Sequence, residues 1–132
     1  MKKIVVKKSL GQNFLTDKKI VEDVLKNVII DNKDLIIEIG PGTGFLTEEL
    51  KKFNSFLLCY EIDESLREYL EEYRDEKTII KYENFLNADI TADINQFNYE
   101  NALLIANIPY YITTPILKKI INSKINFKEI IL

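Results

Sequence analysis

Leu35-Ile36-Ile37-Glu38-Ile39-Gly40-Pro41-Gly42-Thr43-Gly44 is the stretch from which the architecture can be read. Its first half is apolar except for Glu38 and reads as a short buried strand. Its second half places three glycines at every other position, and the segment that follows, 45–53, reads as a helix. Strand, glycine turn and helix in that order let the backbone approach a ligand closely and aim helix N-terminal N–H groups at it. A tight strand-to-helix turn with no ligand would use the same residues. Glu38 is the exception inside the strand, because a buried carboxylate is costly unless something pairs with it. It is expected either to face the ligand end of the sheet, receiving N–H groups there, or to lie at a wet edge.

Working outward, 56–62 reads as a second strand, 78–82 as a third, 102–106 as a fourth, and 127–132 has strand composition. Between them, 63–74 reads as a helix with Leu66, Tyr69, Leu70 and Tyr73 on one face, and a further helix covers roughly 114–122. Upstream, Thr16 or Asp17 can cap a helix whose stripe is Ile20, Val21, Val24, Leu25 and Val28, and Asp31 to Asp34 form a turn. Strands and helices alternate with short connections, which predicts an α/β fold with a largely parallel sheet and helices on both faces. The final strand has nothing after it to cover it. A fragment truncated after about the fifth strand is expected, with self-association possible at the open sheet edge.

The chain has 132 residues, room for one domain with a modest core. No apolar run approaches the roughly 18–20 residues a bilayer span requires, and the short apolar run after Met1-Lys2-Lys3 is no signal peptide. Cys59 is the single cysteine, so an internal disulfide is impossible and a reducing cytoplasm fits. It sits in an apolar run and reads as a small buried hydrophobe. The absence of histidine and of any cysteine cluster argues against a metal site. The net charge of −3 divides unevenly: residues 1–19 carry six lysines against Asp17, or +5, leaving −8 for the rest. A basic arm on an acidic body suits phosphate contacts near the N-terminus, or simply a solvated terminus.

Two further constellations carry chemistry. Glu61 lies 21 residues after Gly40, at the end of the next strand, where an acid meets ribose hydroxyls in nucleotide-binding folds. The glycines fall as Gly-x-Gly-x-Gly, unlike the Gly-x-Gly-x-x-Gly of dinucleotide folds that seats a pyrophosphate. Asn107-Ile108-Pro109-Tyr110 follows the fourth strand directly, on a loop at its carboxyl end. The Asn107 side-chain carbonyl and the Ile108 backbone carbonyl can each accept one N–H of an exocyclic amine. Pro109 holds Ile108 extended, and the Tyr110 ring can stack on a nucleobase. The same residues also make an ordinary Asn-X-Pro turn. Pro115 stands in the first turn of the next helix, where its missing N–H costs nothing.

Gly11-Gln12-Asn13-Phe14-Leu15, Glu38 to Gly44, Glu61-Ile62-Asp63 and Asn107 to Pro115 together resemble the ribosomal RNA adenine N6-dimethyltransferase family, in order and at family spacing across nearly the whole chain. The resemblance implies a Rossmann-like S-adenosylmethionine methyltransferase fold, with 1–132 as the N-terminal part of the catalytic domain. Residues 1–19 would be a basic arm and cofactor-closing segment, and the family's C-terminal helical RNA-binding domain is absent. It also implies a cytoplasmic enzyme of ribosome biogenesis that dimethylates adjacent adenosines of small-subunit rRNA, expected as a monomer and without a metal. Gly-Pro-Gly and Pro115 favour that branch over the macrolide-resistance branch acting on large-subunit rRNA. By resemblance, Gln12, Asn13, Leu15, Gly40, Gly42, Glu61, Ile62, Asn84 and Asn107 bind S-adenosyl-L-methionine. Asn107, Ile108, Pro109 and Tyr110 hold the target adenine. The family usually has Asp where this chain has Asn84, and Asn still offers a carbonyl acceptor to the cofactor's adenine amine. A non-catalytic RNA-binding role in ribosome assembly, a nicotinamide-dependent dehydrogenase and a DNA adenine methyltransferase are the competing classes.

Overall fold

Five-residue runs of Leu, Ile and Ala, broken only by Glu38, at Leu35–Ile39 and Ala102–Ala106 bury every residue because both faces of their sheet are covered. The computed structural model describes residues 4–5, 18–108 and 110–132, with 4, 5 and 110 described in their backbone alone. The strands are β1 (Ile4–Val5), β2 (Leu35–Ile39), β3 (Phe56–Tyr60), β4 (Thr78–Lys81), β5 (Ala102–Ala106) and β6 (Phe127–Ile131). They form one sheet of order β1-β6-β5-β2-β3-β4, each pairing parallel. The helices are α1 (Lys18–Leu25), α2 (Phe45–Lys51), α3 (Arg67–Leu70), α4 (Ile90–Ile94) and α5 (Thr113–Ser123).

The strand side chains alternate between two cores. Leu35, Ile37 and Ile39 of β2 pack with Leu58, Leu104, Phe127 and the α4 and α5 residues Ile90, Ile94, Ile116 and Ile120. Ile36 of β2, with Leu57, Cys59, Leu103 and Ile105, faces Val21, Val24 and Leu25 of α1, Leu46 and Leu50 of α2, and Leu70 of α3. Each fully buried Leu or Ile contributes roughly 1.5–3 kcal/mol, so the two faces together hold the sheet between its helices.

Several expectations need correction. β6 is no bare edge: Ile4–Val5 pairs with Ile130 and Ile131 along it, so residues from the basic arm make a sixth strand. The second strand stops at Tyr60, leaving Glu61 just beyond it, although Glu61 N still donates to the Lys81 carbonyl at 2.9 Å. The helix expected over 63–74 is a chain of short turns, 3-10 at Glu64–Leu66, α at Arg67–Leu70 and 3-10 again at Glu71–Tyr73. Helix α1 ends at Leu25, and Val28 is buried from the turn after it. The proposed caps Thr16 and Asp17 lie outside the described residues. Helix α4, unexpected from the sequence, starts at Asp89, whose side chain accepts from Ala92 N.

Candidate active site

Strand order reverses at β2. From there the chain runs to β3 and β4 on one side, while β5 and β6 lie on the other. In open parallel sheets such a reversal separates the loops at the carboxyl ends and leaves a crevice between them. Here the crevice is lined by the glycine loop after β2 and the Asn107 loop after β5. These loops touch: Asn107 N donates to the Ile39 carbonyl at 3.3 Å. A Cβ placed on Gly40 would meet the Asn107 carbonyl oxygen at 3.3 Å and Ile108 Cγ2 at 3.5 Å. Gly40 also has φ +75°, so both its conformation and its neighbour demand glycine.

Glu61 sits at the next strand end and is 5% exposed. Its Oε1 accepts from Gly42 N at 2.9 Å and its Oε2 from Asp63 N at 3.0 Å. The side chain therefore fastens the glycine loop of β2 to the loop after β3. A carboxylate has about four lone-pair positions, so each oxygen retains capacity for a hydroxyl. Ile62, immediately after it, is 68% exposed, a large apolar side chain held open at the mouth of the crevice.

Glu38 points to the α1–α2 side of the sheet. Its Oε1 accepts from Thr47 Oγ1 at 2.7 Å and from the Cys59 thiol at 3.5 Å, while Oε2 is buried with no partner. Burial pushes its carboxyl up to about 7, against the hydrogen bonds from Thr47 and Cys59, and the negative Glu61 nearby adds to the rise. The Cys59 thiol is itself pushed well above its usual range by burial and by Glu38. Glu38 thus receives a hydroxyl and a thiol where backbone or ligand N–H groups had been expected. No signal adjacent in sequence marks Thr47 and Cys59 as its partners.

Asn84 lies three residues beyond β4, half-buried, and caps the 3-10 turn Phe85–Asn87: its Oδ1 accepts from Leu86 N at 3.0 Å. The carbonyl assigned to the cofactor is already engaged. The turn is pinned from the other side, since Lys119 of α5 donates to the carbonyls of Phe85 and Ala88. Lys119 was not anticipated, and its burial lowers its basicity.

Asn107 and Ile108 are half-buried at the crevice, and Tyr110–Ile112 forms a 3-10 turn leading into α5, with Pro115 in its first turn. Pro109, Gln12, Asn13 and Leu15 lie outside the described residues, as does the side chain of Tyr110. Of the expected site residues, Gly40, Gly42, Glu61, Ile62, Asn84, Asn107 and Ile108 all sit in loops at the carboxyl edge of the sheet. Among the described residues, no group of three His, Cys, Asp or Glu could hold a metal ion.

The family described as ribosomal RNA adenine dimethylase matches residues 4–132. The chain belongs to the ribosomal RNA adenine dimethylase family. It is 46% identical over 133 residues to the ribosomal RNA small subunit methyltransferase A of Mesomycoplasma hyopneumoniae (strain 232), covering 100% of this chain and 49% of that protein. The protein of the same name from Lactiplantibacillus plantarum is 42% identical over 131 residues, covering 96% and 44% respectively. The chain therefore spans just under half the length of these relatives. Among solved structures, the 23S rRNA methyltransferase ErmE superposes with a TM-score of 0.60 at 28% identity, over 77% of this chain and 40% of that one. A dimethyladenosine transferase from Plasmodium falciparum shares the fold, with a TM-score of 0.70 at 22% identity over 87% and 41%. Both have the Rossmann-like methyltransferase fold found here.

Proposed function

We propose that this chain is the cofactor-binding and catalytic part of an enzyme that dimethylates N6 of adenosines in small-subunit rRNA, using S-adenosyl-L-methionine in the cytoplasm. The observation that carries the reading is the carboxylate seated on the glycine loop. Gly42 N, which would face a pyrophosphate in a dinucleotide site, donates instead to Glu61. The buried Glu38 lies close enough for Glu61 to raise its pKa. The Glu61 carboxylate on that loop disfavours a diphosphate there and favours a ligand bearing a cationic group and a ribose. S-adenosylmethionine has both. Identity to small-subunit methyltransferases of 46% and 42%, with Gly-Pro-Gly and Pro115, supports the small-subunit branch.

The bound cofactor supplies an electrophilic methyl on a sulfonium. Asn107 and the Ile108 carbonyl accept the two amine hydrogens of the target adenine, which draws the nitrogen lone pair out of conjugation with the ring. Pro109 keeps the Ile108 carbonyl aimed, and Tyr110 stacks on a base taken out of its helix. Held this way by Asn107 and Ile108, the nitrogen would be presented to the sulfonium methyl, whose carbon–sulfur pair would stay on the thioether while one amine proton left to solvent. Positioning and electrostatics do most of the work, and no dedicated base is needed. A second transfer requires that one of the two carbonyl contacts be released.

Calorimetric titration with S-adenosylmethionine, with NAD as the control, tests the cofactor half. Saturable binding of the first alone is expected, and binding of NAD would overturn the reading. In methyl-transfer assays on unmodified small-subunit rRNA, Asn107→Ala should lose nearly all activity while keeping its fold. Cofactor binding without any transfer by the native chain would favour a non-catalytic role in ribosome assembly.

A further inference from the structure

The loop after β4 carries Asn84, whose amide is oriented by the turn it caps. Tyr60 at the end of β3 pairs with Lys81 at the end of β4, so the Glu61 and Asn84 loops leave adjacent strand ends. Neighbouring strands lie about 4.8 Å apart, a span the base of a nucleoside covers when its ribose hydroxyls meet Glu61. On the other side, toward β2 and β5, Gly40 lies against the Asn107 loop, so close that a Cβ there would meet the Asn107 carbonyl oxygen at 3.3 Å. Ile62, next to Glu61, is an exposed apolar side chain on which a base could lie, and Asn84 begins the turn at the neighbouring strand end.

An amide has one acceptor atom and one donor atom. Leu86 N–H can be received only by oxygen, so the cap fixes Asn84 Oδ1 inward on the turn at 3.0 Å. That leaves Nδ2, a donor, in the place where a carboxylate would present its second oxygen. We propose that Asn84 makes this cofactor pocket donate to a ring-nitrogen acceptor of the purine, so that the exocyclic amine of the cofactor contributes little to binding. The inference rests on the S-adenosylmethionine reading above and concerns the specificity of that same site.

Titrations on the 132-residue chain separate the two. S-adenosylhomocysteine and its 6-deamino counterpart, a purine riboside that keeps the ring nitrogens and lacks the amine, are titrated into the native protein and into Asn84→Asp. Aspartate caps a helical turn about as well as asparagine, so the variant should fold, and its melting temperature checks this. The native chain should bind the two ligands within about threefold of each other, because no contact is lost with the amine. Asn84→Asp should prefer the amine-bearing ligand by about tenfold or more, since its second oxygen accepts from that amine. A native chain that itself loses tenfold on deamination would overturn the inference, for then the remaining lone pair of Oδ1 reads the amine. An unchanged ratio in Asn84→Asp would overturn it too, placing residue 84 off the base. In both cases S-adenosylhomocysteine still binds and the parent reading stands. Absence of any binding to the folded native chain would instead sink the parent reading, and this inference with it.

Discussion

Glu38 and Glu61 belong to neighbouring strand ends and are 1% and 5% exposed, yet the fold treats them in opposite ways. Glu61 has one backbone N–H on each oxygen, from Gly42 and Asp63, donors fixed by the turns that carry them. Glu38 has a hydroxyl and a thiol on one oxygen and nothing on the other. Preorganised backbone dipoles can hold a buried negative charge, whereas a side-chain hydroxyl and a weak thiol donor only partly replace lost water. One carboxylate accordingly works as a fastener between two loops. The other, with its pKa at about 7, holds a proton through much of the neutral range.

The largest expected effect comes from removing the fastener. Glu61→Ala leaves the N–H groups of Gly42 and Asp63 without their acceptor, a loss of about 4 kcal/mol if both stay desolvated. Cofactor binding should vanish with it. Urea unfolding and calorimetry read the two effects, and a variant as stable as the native chain would mean that the loops hold themselves.

Glu38 gives the next largest effect, and its sign is opposite to that of a paired acid. Its folded pKa of about 7 exceeds the ordinary 4.5, so the folded state binds the proton more tightly. Stability from this group is therefore full below about 4.5 and is lost as pH rises to about 7, a swing of roughly 3 kcal/mol at about 1.4 kcal/mol per unit. Glu38→Gln should remove that decline. Unfolding free energies at pH 5 and pH 8 test it, and an equal decline in the variant would assign the slope to other groups.

Neither set of partners was equally visible beforehand. The glycine loop, Glu61 and the Asn107 loop stand at fixed offsets from apolar runs, so their placement at the carboxyl edge of the sheet could be read directly. The Glu38 partners, Thr47 on α2 and Cys59 on β3, meet it only because β2 and β3 pair in register with Glu38 beside Cys59. Helix α4 has five residues and β1 has two, too few for any period to show. Asn84 carries a local signal too: an Asn two residues before the N–H it caps is an ordinary turn-former, so its carbonyl is engaged by its own turn.

A third test asks whether the glycine loop is held by Glu61 alone or also by packing at its helical end. Gly44 has φ +96°, and a Cβ there would lie 2.5 Å from Tyr73 Cε2. Gly44→Ala should cost about 2 kcal/mol through strain and overlap. Adding Tyr73→Leu should return only the overlap part. Full recovery in the double variant would show that the backbone conformation is not strained, and no loss in the single variant would show that packing on Tyr73 adds nothing to the anchorage of the loop.

The smallest effect belongs to Lys119, whose arrangement inverts that of Glu61: an ammonium held by two backbone carbonyls, those of Phe85 and Ala88, with the Phe85 ring 5.1 Å away. It ties α5, the helix that follows the Asn107 loop, to the turn that begins at Asn84. Lys119→Met keeps the apolar stem and removes the cation, leaving two part-buried carbonyls that water can reach, so the stability loss should be about 1 kcal/mol. If the tie positions Asn84, the variant should bind S-adenosylhomocysteine several-fold more weakly and raise the KM for cofactor while leaving kcat nearly unchanged. A fall in kcat with KM unaltered would place the influence of Lys119 on the Asn107 loop instead. Equal stability loss with unchanged binding would show that the turn holds its shape through the Asn84 cap alone. The glycine-loop side of the crevice would then be built by side-chain fasteners and the base side by local capping.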